Sequence, residues 1–263
     1  MIKSVELKSH LCRFCKVYKT GDQRIPKELY EIRSEKPDLT GFPLPLPCEK
    51  SSYQCFTVTN DGAVWYGSSN GLTRYDKNAE RDYDLIMYFA ADRDLGDNNV
   101  KALLPDGNGV WALTDTGASH IEMKMIGPEE KAKILLEETL KYVDRRGMVS
   151  QKFLSVPREL ESVVAYGHSD NDGSFTVGFS IGEIYRYAVY KREKGEDDPE
   201  TISALRVATR ACEACLLLMH IHGRGDGFVA RSYLCPDEPV PDDGLFFRKE
   251  GRKAICLDTS YSR

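Results

Sequence analysis

Two hydrophobic periodicities divide the chain. Between residues 55 and 123, short apolar runs alternate with polar positions and are separated by glycine, asparagine and aspartate. Such runs, bounded by turn residues, are typical of antiparallel strands joined by hairpins. From Gly127 onward, apolar residues recur at spacings of three and four, which is the period of an amphipathic helix. The pattern therefore predicts short antiparallel strands over residues 55–123 and three helices, packed as hairpins, over residues 128–222.

The strand region contains an internal repeat. Residues 61–75 (DGAVWYGSSNGLTRY) return as residues 107–121 (GNGVWALTDTGASHI), with the tryptophan and the second-turn glycine both displaced by 46 positions. Each copy has a turn, a strand that starts Val-Trp, a glycine suited to the positive φ of the next turn, and a second strand. This period is typical of propeller blades. Because two blades cannot close a ring, we expect a small β-module, or a propeller whose other blades are missing or lie on another chain.

Capping signals set the helix boundaries. The first helix is predicted to start with Pro128 at its first position and to end at residues 145–147 (RRG), which combine basic residues with a terminal glycine. The second is predicted over about residues 174–192. The third has Asp198 as its N-cap and Pro199 as its first residue, and Gly223 ends it.

Each predicted helix has an apolar stripe that we expect to be buried. The stripe residues are Ile134, Leu135, Leu140 and Val143 in the first helix, Phe175, Phe179, Gly182, Tyr185 and Val189 in the second, and Ile202, Leu205, Thr209, Cys212, Leu216 and Met219 in the third.

The predicted domain boundaries follow these changes of pattern. Residues 1–54 are irregular and end in an alternating proline run (GFPLPLP, residues 41–47), which favours an extended strap or connector lying on a core. A ligand for a recognition module is the alternative use of such a run. Residues 55–123 form the β repeats and residues 124–263 the helical region. The predicted fold class is α+β.

Composition narrows the function classes. The chain has 41% hydrophobic and 29% charged residues, which supports a sizeable core, and its net charge of −5 argues against a dedicated nucleic-acid binder. Its start has no apolar leader segment, and no stretch has the length of a membrane span. We therefore expect a cytoplasmic protein without membrane or nucleic-acid partners, and no cofactor motif is present.

Eight cysteines include two Cys-x-x-Cys pairs. Without an export signal they are interpreted as reduced thiols. Cys12 and Cys15 could form half of a zinc site with Cys48 and Cys55, but the second spacing of seven is unlike structural zinc knuckles. Cys212 and Cys215 fall on one face of a helix with small residues, which favours core packing. No metal site is predicted.

The repeat is similar to the blades of two-component-regulator-type β-propellers, whose pattern reads roughly G-x-[IVL]-W-x-G-T-x-x-G-[LI]. The second copy departs from this pattern because Leu113 stands where the first has Gly67. The helical region resembles bacterial α/α-toroid domains through residues 169–175 (SDNDGSF), 183–189 (EIYRYAV) and 225–233 (GDGFVARSY). Such toroids are similar to glycoside hydrolases and polysaccharide lyases and often accompany propeller repeats. The resemblance implies a carbohydrate-active protein with an incomplete toroid, since the chain has fewer helices than closure needs.

The loop at residues 168–175 carries the candidate catalytic residues. Asp170 and Asp172 could act as a general acid/base pair, bind sugar hydroxyls, or join a calcium loop, although an Asp-Asn-Asp-Gly run also serves as a helix N-cap. His168 adjoins them and titrates near neutrality, so it is the third catalytic candidate, with a structural role as the alternative.

Substrate binding is predicted for five residues. Arg231 and Tyr233 alternate in an extended segment and point to one face, where an arginine could clamp a uronate carboxylate, unless it pairs with a nearby acid. Asn171, Phe175 and Tyr187 complete the set, and Phe175 stands where the toroid pattern has tryptophan. His220 and His222 lack the spacing of a zinc-binding helical pair.

Three functions remain open from the sequence. The first is a glycosidase- or lyase-like protein that holds a saccharide with these loops. The second is a non-catalytic ligand-binding or sensory module, and the third is a remnant of a split gene that pairs with its missing half. Because an unclosed toroid leaves apolar helix faces open, we expect a homo-oligomer or a partner chain that completes it.

Overall fold

The computed structural model describes residues 9–91, 93–150, 152–154, 160–166, 172–223, 227–234, 246–248 and 255–257. The chain forms two compact units, Met1–Lys131 and Ala132–Arg263. Antiparallel sheets and helices both occur, so the α+β class is confirmed.

The first unit is built from strands, as the sequence predicted. Its described strands are β1 (His10–Lys19), β2 (Tyr53–Val58), β3 (Val64–Ser68), β4 (Gly71–Tyr75), β5 (Ile86–Phe89), β6 (Ala102–Asp106), β7 (Gly109–Leu113) and β8 (Gly117–Ile126). Two short helices, α1 (Glu28–Glu31) and α2 (Asp82–Leu85), lie between them, and a 3-10 turn at Lys50–Ser52 precedes β2. The strands form two four-stranded antiparallel sheets, β2-β3-β4-β5 and β1-β8-β7-β6.

The N-terminal segment contributes a strand to the second sheet. β1 pairs with β8 in continuous register from His10 opposite Ile126 to Lys19 opposite Gly117. The repeat supplies only three strands of this sheet, because the chain leaves the β region after β8. The fourth strand therefore comes from residues that the sequence analysis assigned to an irregular strap.

The two sheets pack through faces that are not equivalent in the repeat. We call the side of each sheet that carries its tryptophan, Trp65 or Trp111, the tryptophan face, and the other side the reverse face. The shared core joins the tryptophan face of the first sheet (Trp65 and Leu72) to the reverse face of the second (Val110 and Ile121). The full buried set of this core is Cys55, Trp65, Leu72, Phe89, Leu95, Val100, Leu103, Val110, Ala112, Ile121 and Met123.

The segment between β1 and β2 packs on the two remaining sheet faces, although Phe56 and Val58 on the reverse face of the first sheet stay 43% and 52% exposed. On the second sheet, Ile25 and Leu29 pack in one cluster with Trp111. On the first sheet, the Phe42 ring lies with its centroid 5.9 Å from that of Tyr66 and 4.9 Å from that of Tyr75. Phe42 belongs to the proline-rich run, so this run lies on the reverse face of the first sheet.

The second unit contains two long helices and several short hairpins. α3 (Pro128–Glu138) crosses the boundary between the units and is followed by a π-helical turn (Thr139–Val143). The remaining described elements are β9 (Asp144–Arg145), β10 (Met148–Val149), β11 (Lys152–Leu154), a 3-10 turn (Leu160–Ser162), β12 (Val163–Tyr166), α4 (Asp172–Lys194), α5 (Pro199–His220), β13 (Tyr233–Leu234), β14 (Phe246–Arg248) and β15 (Ile255–Leu257). These strands pair as β9-β10, β11-β12 and β13-β15-β14.

The third predicted helix is confirmed at its start. Asp198 caps α5, since its carboxylate Oδ1 accepts the backbone N–H of Glu200 at 2.8 Å and of Thr201 at 3.4 Å, and Pro199 is the first helical residue. The end of the first predicted helix is wrong. Arg145 lies in β9, and Arg146 and Gly147 form the turn of the β9–β10 hairpin with positive φ, at 56° and 94°. That conformation suits a two-residue hairpin turn and cannot continue a helix.

The predicted buried stripes of the long helices are wrong. The buried positions of α4 are Asp172, Thr176, Ser180 and Glu183, and those of α5 are Thr201, Ala204, Val207, Ala208, Ala211, Ala214 and Leu218. Phe175, Tyr185, Ile202, Leu205, Leu216 and Met219 are exposed by 45–69%. Small side chains allow the two helices to approach closely, which outweighs the hydrophobicity of the larger residues on the other side. Within the part of the chain that the structure describes, no helix is both long and apolar enough to cross a bilayer.

Candidate functional site

The helical unit places two of the predicted motif segments at the same end of the α4–α5 hairpin. Ser180 Oγ lies 3.1 Å from Cys212 Sγ, and a Cβ on Gly173 would lie 3.5 Å from Leu218 Cδ1. Residues near the start of α4 therefore contact residues near the end of α5, so the two helices are antiparallel. The start of α4 and the segment that follows α5 consequently lie side by side.

The β9–β10 hairpin packs on both helices. Its turn lies against α5, because a Cβ on Gly147 would come within 2.4 Å of the Arg210 carbonyl oxygen. Asp144 fixes this arrangement, since its Oδ1 accepts the Gly147 N–H at 2.9 Å and its Oδ2 accepts the Arg210 guanidinium at 2.9 Å. Only glycine combines the positive φ with the space available at this position.

Asp172, a catalytic candidate, is buried at the first turn of α4. Its Oδ2 accepts a hydrogen bond from the Ser150 hydroxyl at 2.9 Å. One turn further, the Thr176 hydroxyl donates to the Asp172 carbonyl at 2.7 Å and accepts the Val149 N–H at 3.0 Å. The carboxylate thus attaches the start of α4 to the strand that follows the hairpin turn.

A buried arginine, Arg145, holds the segment after α5 from the other strand of the same hairpin. Its guanidinium Nη2 donates to the Ser232 hydroxyl at 2.9 Å and to the Tyr233 carbonyl at 2.7 Å. The guanidinium carbon also lies 6.0 Å from the centre of the Tyr233 ring. Sequence reasoning missed Arg145 because it assigned residues 145–147 to a helix end. An aspartate three positions before a glycine was the local signal for a hairpin turn.

The segment after α5 folds back onto that helix. The Ala230 N–H donates to the Leu218 carbonyl at 2.9 Å. His222 is buried, and its Nε2 lies 2.7 Å from the Phe228 carbonyl oxygen, to which it donates as the protonated ring nitrogen. Met148, Ala214, Leu218, Ile221, Ala230 and Tyr233 form one buried cluster beneath this segment.

The predicted substrate-binding residues are only partly brought together. Tyr233 is 3% exposed, so its ring belongs to the buried cluster, while Arg231 is partly exposed two residues earlier. Phe175 lies one turn from the start of α4 and is 55% exposed. Tyr187 lies fifteen residues beyond Asp172 on the same helix, about 22 Å along its axis, and does not belong to this cluster. His168, Asp170 and Asn171 lie outside the described residues.

The cysteines occupy unlike environments. Burial raises the pKa of Cys55 to about 12, which leaves this thiol protonated in the core of the first unit. On α5, burial raises the pKa of Cys215, and the neighbouring Cys212 adds to this shift. No cluster of three or more His, Cys, Asp or Glu side chains that could hold a metal ion occurs in the described ranges.

Comparison with known protein families, with characterised proteins and with solved structures finds no match to this chain.

Proposed function

We propose that this chain is a carbohydrate-active protein whose helical unit, of α/α-toroid type, binds a saccharide at the end of the α4–α5 hairpin. The observation that carries the proposal is the common attachment of two motif segments. Ser150 bonds Asp172, and Arg145 bonds Ser232 and the Tyr233 carbonyl, so one hairpin positions both segments. These segments carry the resemblance to the sugar-processing toroids, and they are nearly sixty residues apart in the chain.

The roles of the side chains divide by burial. Asp172 and Tyr233 are buried and bonded, so they position the two segments. Arg231 and Phe175 retain exposed surface beside them. A guanidinium can bind a uronate carboxylate through two parallel N–H donors, and an aromatic ring offers an apolar surface to a sugar face. Proton transfer in a glycosidase- or lyase-like reaction falls in this proposal to Asp170 and His168, with Asn171 beside them.

A non-catalytic binding module is the second candidate function. It is favoured by the exposure of Ile202, Leu216 and Met219 on α5, together with that of Phe175 and Tyr185 on α4. Several large exposed apolar side chains on one pair of helices are typical of interaction surfaces. In this alternative a second copy or a partner chain completes the toroid.

Isothermal titration against uronate-containing and neutral oligosaccharides tests the proposal, with assays for hydrolysis and eliminative cleavage of the same panel. Arg231→Lys keeps the charge but loses the two-donor geometry, so we expect it to weaken uronate binding by about 1–3 kcal/mol at an unchanged melting temperature. Arg206→Lys, an exposed position on α5, is the matched control and should bind as the wild type does.

Asp172→Asn separates a positioning role of Asp172 from a catalytic one. The amide oxygen can still accept the Ser150 hydroxyl, so a positioning role predicts unchanged binding and activity. Loss of turnover with unchanged binding would assign Asp172 itself to the chemistry. If neither the wild type nor Arg231→Lys binds any saccharide of the panel, the carbohydrate proposal fails.

A further inference from the structure

The way in which the two sheets of the first unit pack on each other can be repeated between two copies of the chain. Moving by the repeat length of 46 residues takes Trp65 to Trp111 on the tryptophan face, and it takes Tyr75 to Ile121 on the reverse face. The observed core joins the Trp65 side of one sheet to the Ile121 side of the next. The two repeats are therefore stacked face to back, and this arrangement can be continued at either end by a further sheet.

The segment between β1 and β2 packs on both ends of the stack. At one end, Ile25 and the fully buried Leu29 lie on the tryptophan face of the second sheet, with Tyr18 and Leu113 packed around them. At the other end, Phe42 lies on the reverse face of the first sheet. These are the two positions that a preceding and a following repeat would take. One stretch of about twenty residues thus contacts both, and it leaves Phe56 and Val58 at the edge of the reverse face exposed.

We infer that this segment is a cover that keeps copies of the chain from stacking, and that the surface beneath it fits a second copy of the same chain. The tryptophan face of the second sheet would receive the reverse face of the first sheet of the next molecule. Such a contact uses two different patches, so it is heterologous and can propagate through more than two molecules. The cover holds few anchors, since the buried apolar side chains of this fully described segment are Ile25, Leu29 and Leu39.

A mixing experiment tests the inference. Ile25→Ala/Leu29→Ala opens the tryptophan face, and Phe42→Ala opens the reverse face. Each full-length variant alone opens only one of the two complementary patches, while the segment still blocks the other, so its sedimentation should equal that of the wild type at the same concentration. An equimolar mixture should show a species with twice the mass of the separate variants. A chain carrying all three substitutions should form longer assemblies as concentration rises.

Two matched controls and a competitor sharpen the outcome. Tyr30→Ala and Pro43→Ala change exposed residues beside the anchors, and neither should alter sedimentation, alone or mixed. A synthetic peptide of residues 20–47 should dissociate the mixed complex, because it competes for the same two faces. If Ile25→Ala/Leu29→Ala loses its folded circular dichroism spectrum, Leu29→Val replaces it as a smaller truncation. Folded variants that sediment independently when mixed, or a complex that the peptide leaves intact, would overturn the inference.

Discussion

The two β repeats place the same strand pairs in different surroundings. In the first, Trp65 lies opposite Arg74 across β3 and β4, and in the second, Trp111 lies opposite His120 across β7 and β8. Arg74 is 1% exposed and pairs with Asp61 at 2.7 Å and Asp76 at 2.9 Å. His120 stacks on Trp111 with ring centroids 4.4 Å apart and bonds the exposed Asp106.

The difference follows from what covers each tryptophan face. A whole sheet lies over Trp65, so the buried guanidinium of Arg74 opposite it must be neutralised by ion pairs, here with two partly exposed aspartates. A short segment with few anchors lies over Trp111, so His120 reaches partly into solvent. An exposed carboxylate, that of Asp106, is therefore a sufficient hydrogen-bond partner for it. The element that covers each tryptophan face therefore decides which polar residue can lie opposite the tryptophan.

Removing the buried guanidinium should have the largest effect. Arg74→Met leaves Asp61 and Asp76 without their common partner, which should lower the free energy of unfolding by about 3 kcal/mol. The equivalent change in the second repeat, His120→Ala, should cost no more than about 1 kcal/mol, because it removes a surface pair and one aromatic contact. Urea unfolding followed by tryptophan fluorescence measures both. Equal losses would show that the covers do not matter.

Replacing the mid-strand glycine, Gly67, should lower the stability by an intermediate amount. A Cβ on Gly67 would lie 2.4 Å from Cys55 Sγ and 2.6 Å from Val100 Cγ1, within the shared core. Gly67→Ala should therefore cost about 1–3 kcal/mol through overpacking. Leu113, its equivalent, packs at the edge of the Leu29 cluster, where Leu113→Met should cost less than about 1.5 kcal/mol. A Gly67→Ala protein with the thermal midpoint of the wild type would contradict the close packing.

The smallest expected difference between the two repeats is the loss of stability at acidic pH. Burial raises the pKa of Asp61, but hydrogen bonds from Thr59 and Arg74 outweigh it, so the pKa lies below the ordinary 3.8. A carboxyl with a depressed folded pKa stabilises above its unfolded pKa, and this contribution is lost as the pH falls toward the folded value. Between about pH 5 and about pH 3, the wild type should thus lose more stability than Asp61→Asn. Asp106→Asn is the exposed control and should follow the wild type.

Local signals in the sequence predicted the repeats and the start of α5. Turn glycines and the Asp198-Pro199 cap act within a few residues, so their consequences can be read without knowledge of the fold. The presence of Leu113 where the first repeat has Gly67 was visible in the sequence. Its cause was not visible, because the cause depends on which element covers each sheet. β1 was missed for a similar reason, since its partner strand is distant in the chain.

In the helical unit, too, local patterns could be read from the sequence and contacts between distant segments could not. Asp172 and Tyr233 were named as site candidates from their segments, and their functional roles stay predictions. Arg145 was not named, because a basic pair followed by glycine suits a helix end and a hairpin turn equally. The stripes of α4 and α5 were misassigned because hydrophobicity alone does not identify the face that packs. Alanine and threonine positions on these helices allow close approach, and their pattern was weaker than that of the large apolar residues.

The pairing of β1 with β8 constrains how the first unit can form. Its partner residues are about a hundred positions apart, so the second sheet requires closure of a very long loop, a contact of high sequence separation that slows folding. During synthesis, β1 leaves the ribosome first and its partner strand last among the strands of this unit. Until β8 emerges, β6 and β7 have no complete sheet to join, and β1 exposes an unpaired edge. The second sheet is therefore completed only after β8 is made, in contrast to a repeat array that adds one complete unit at a time.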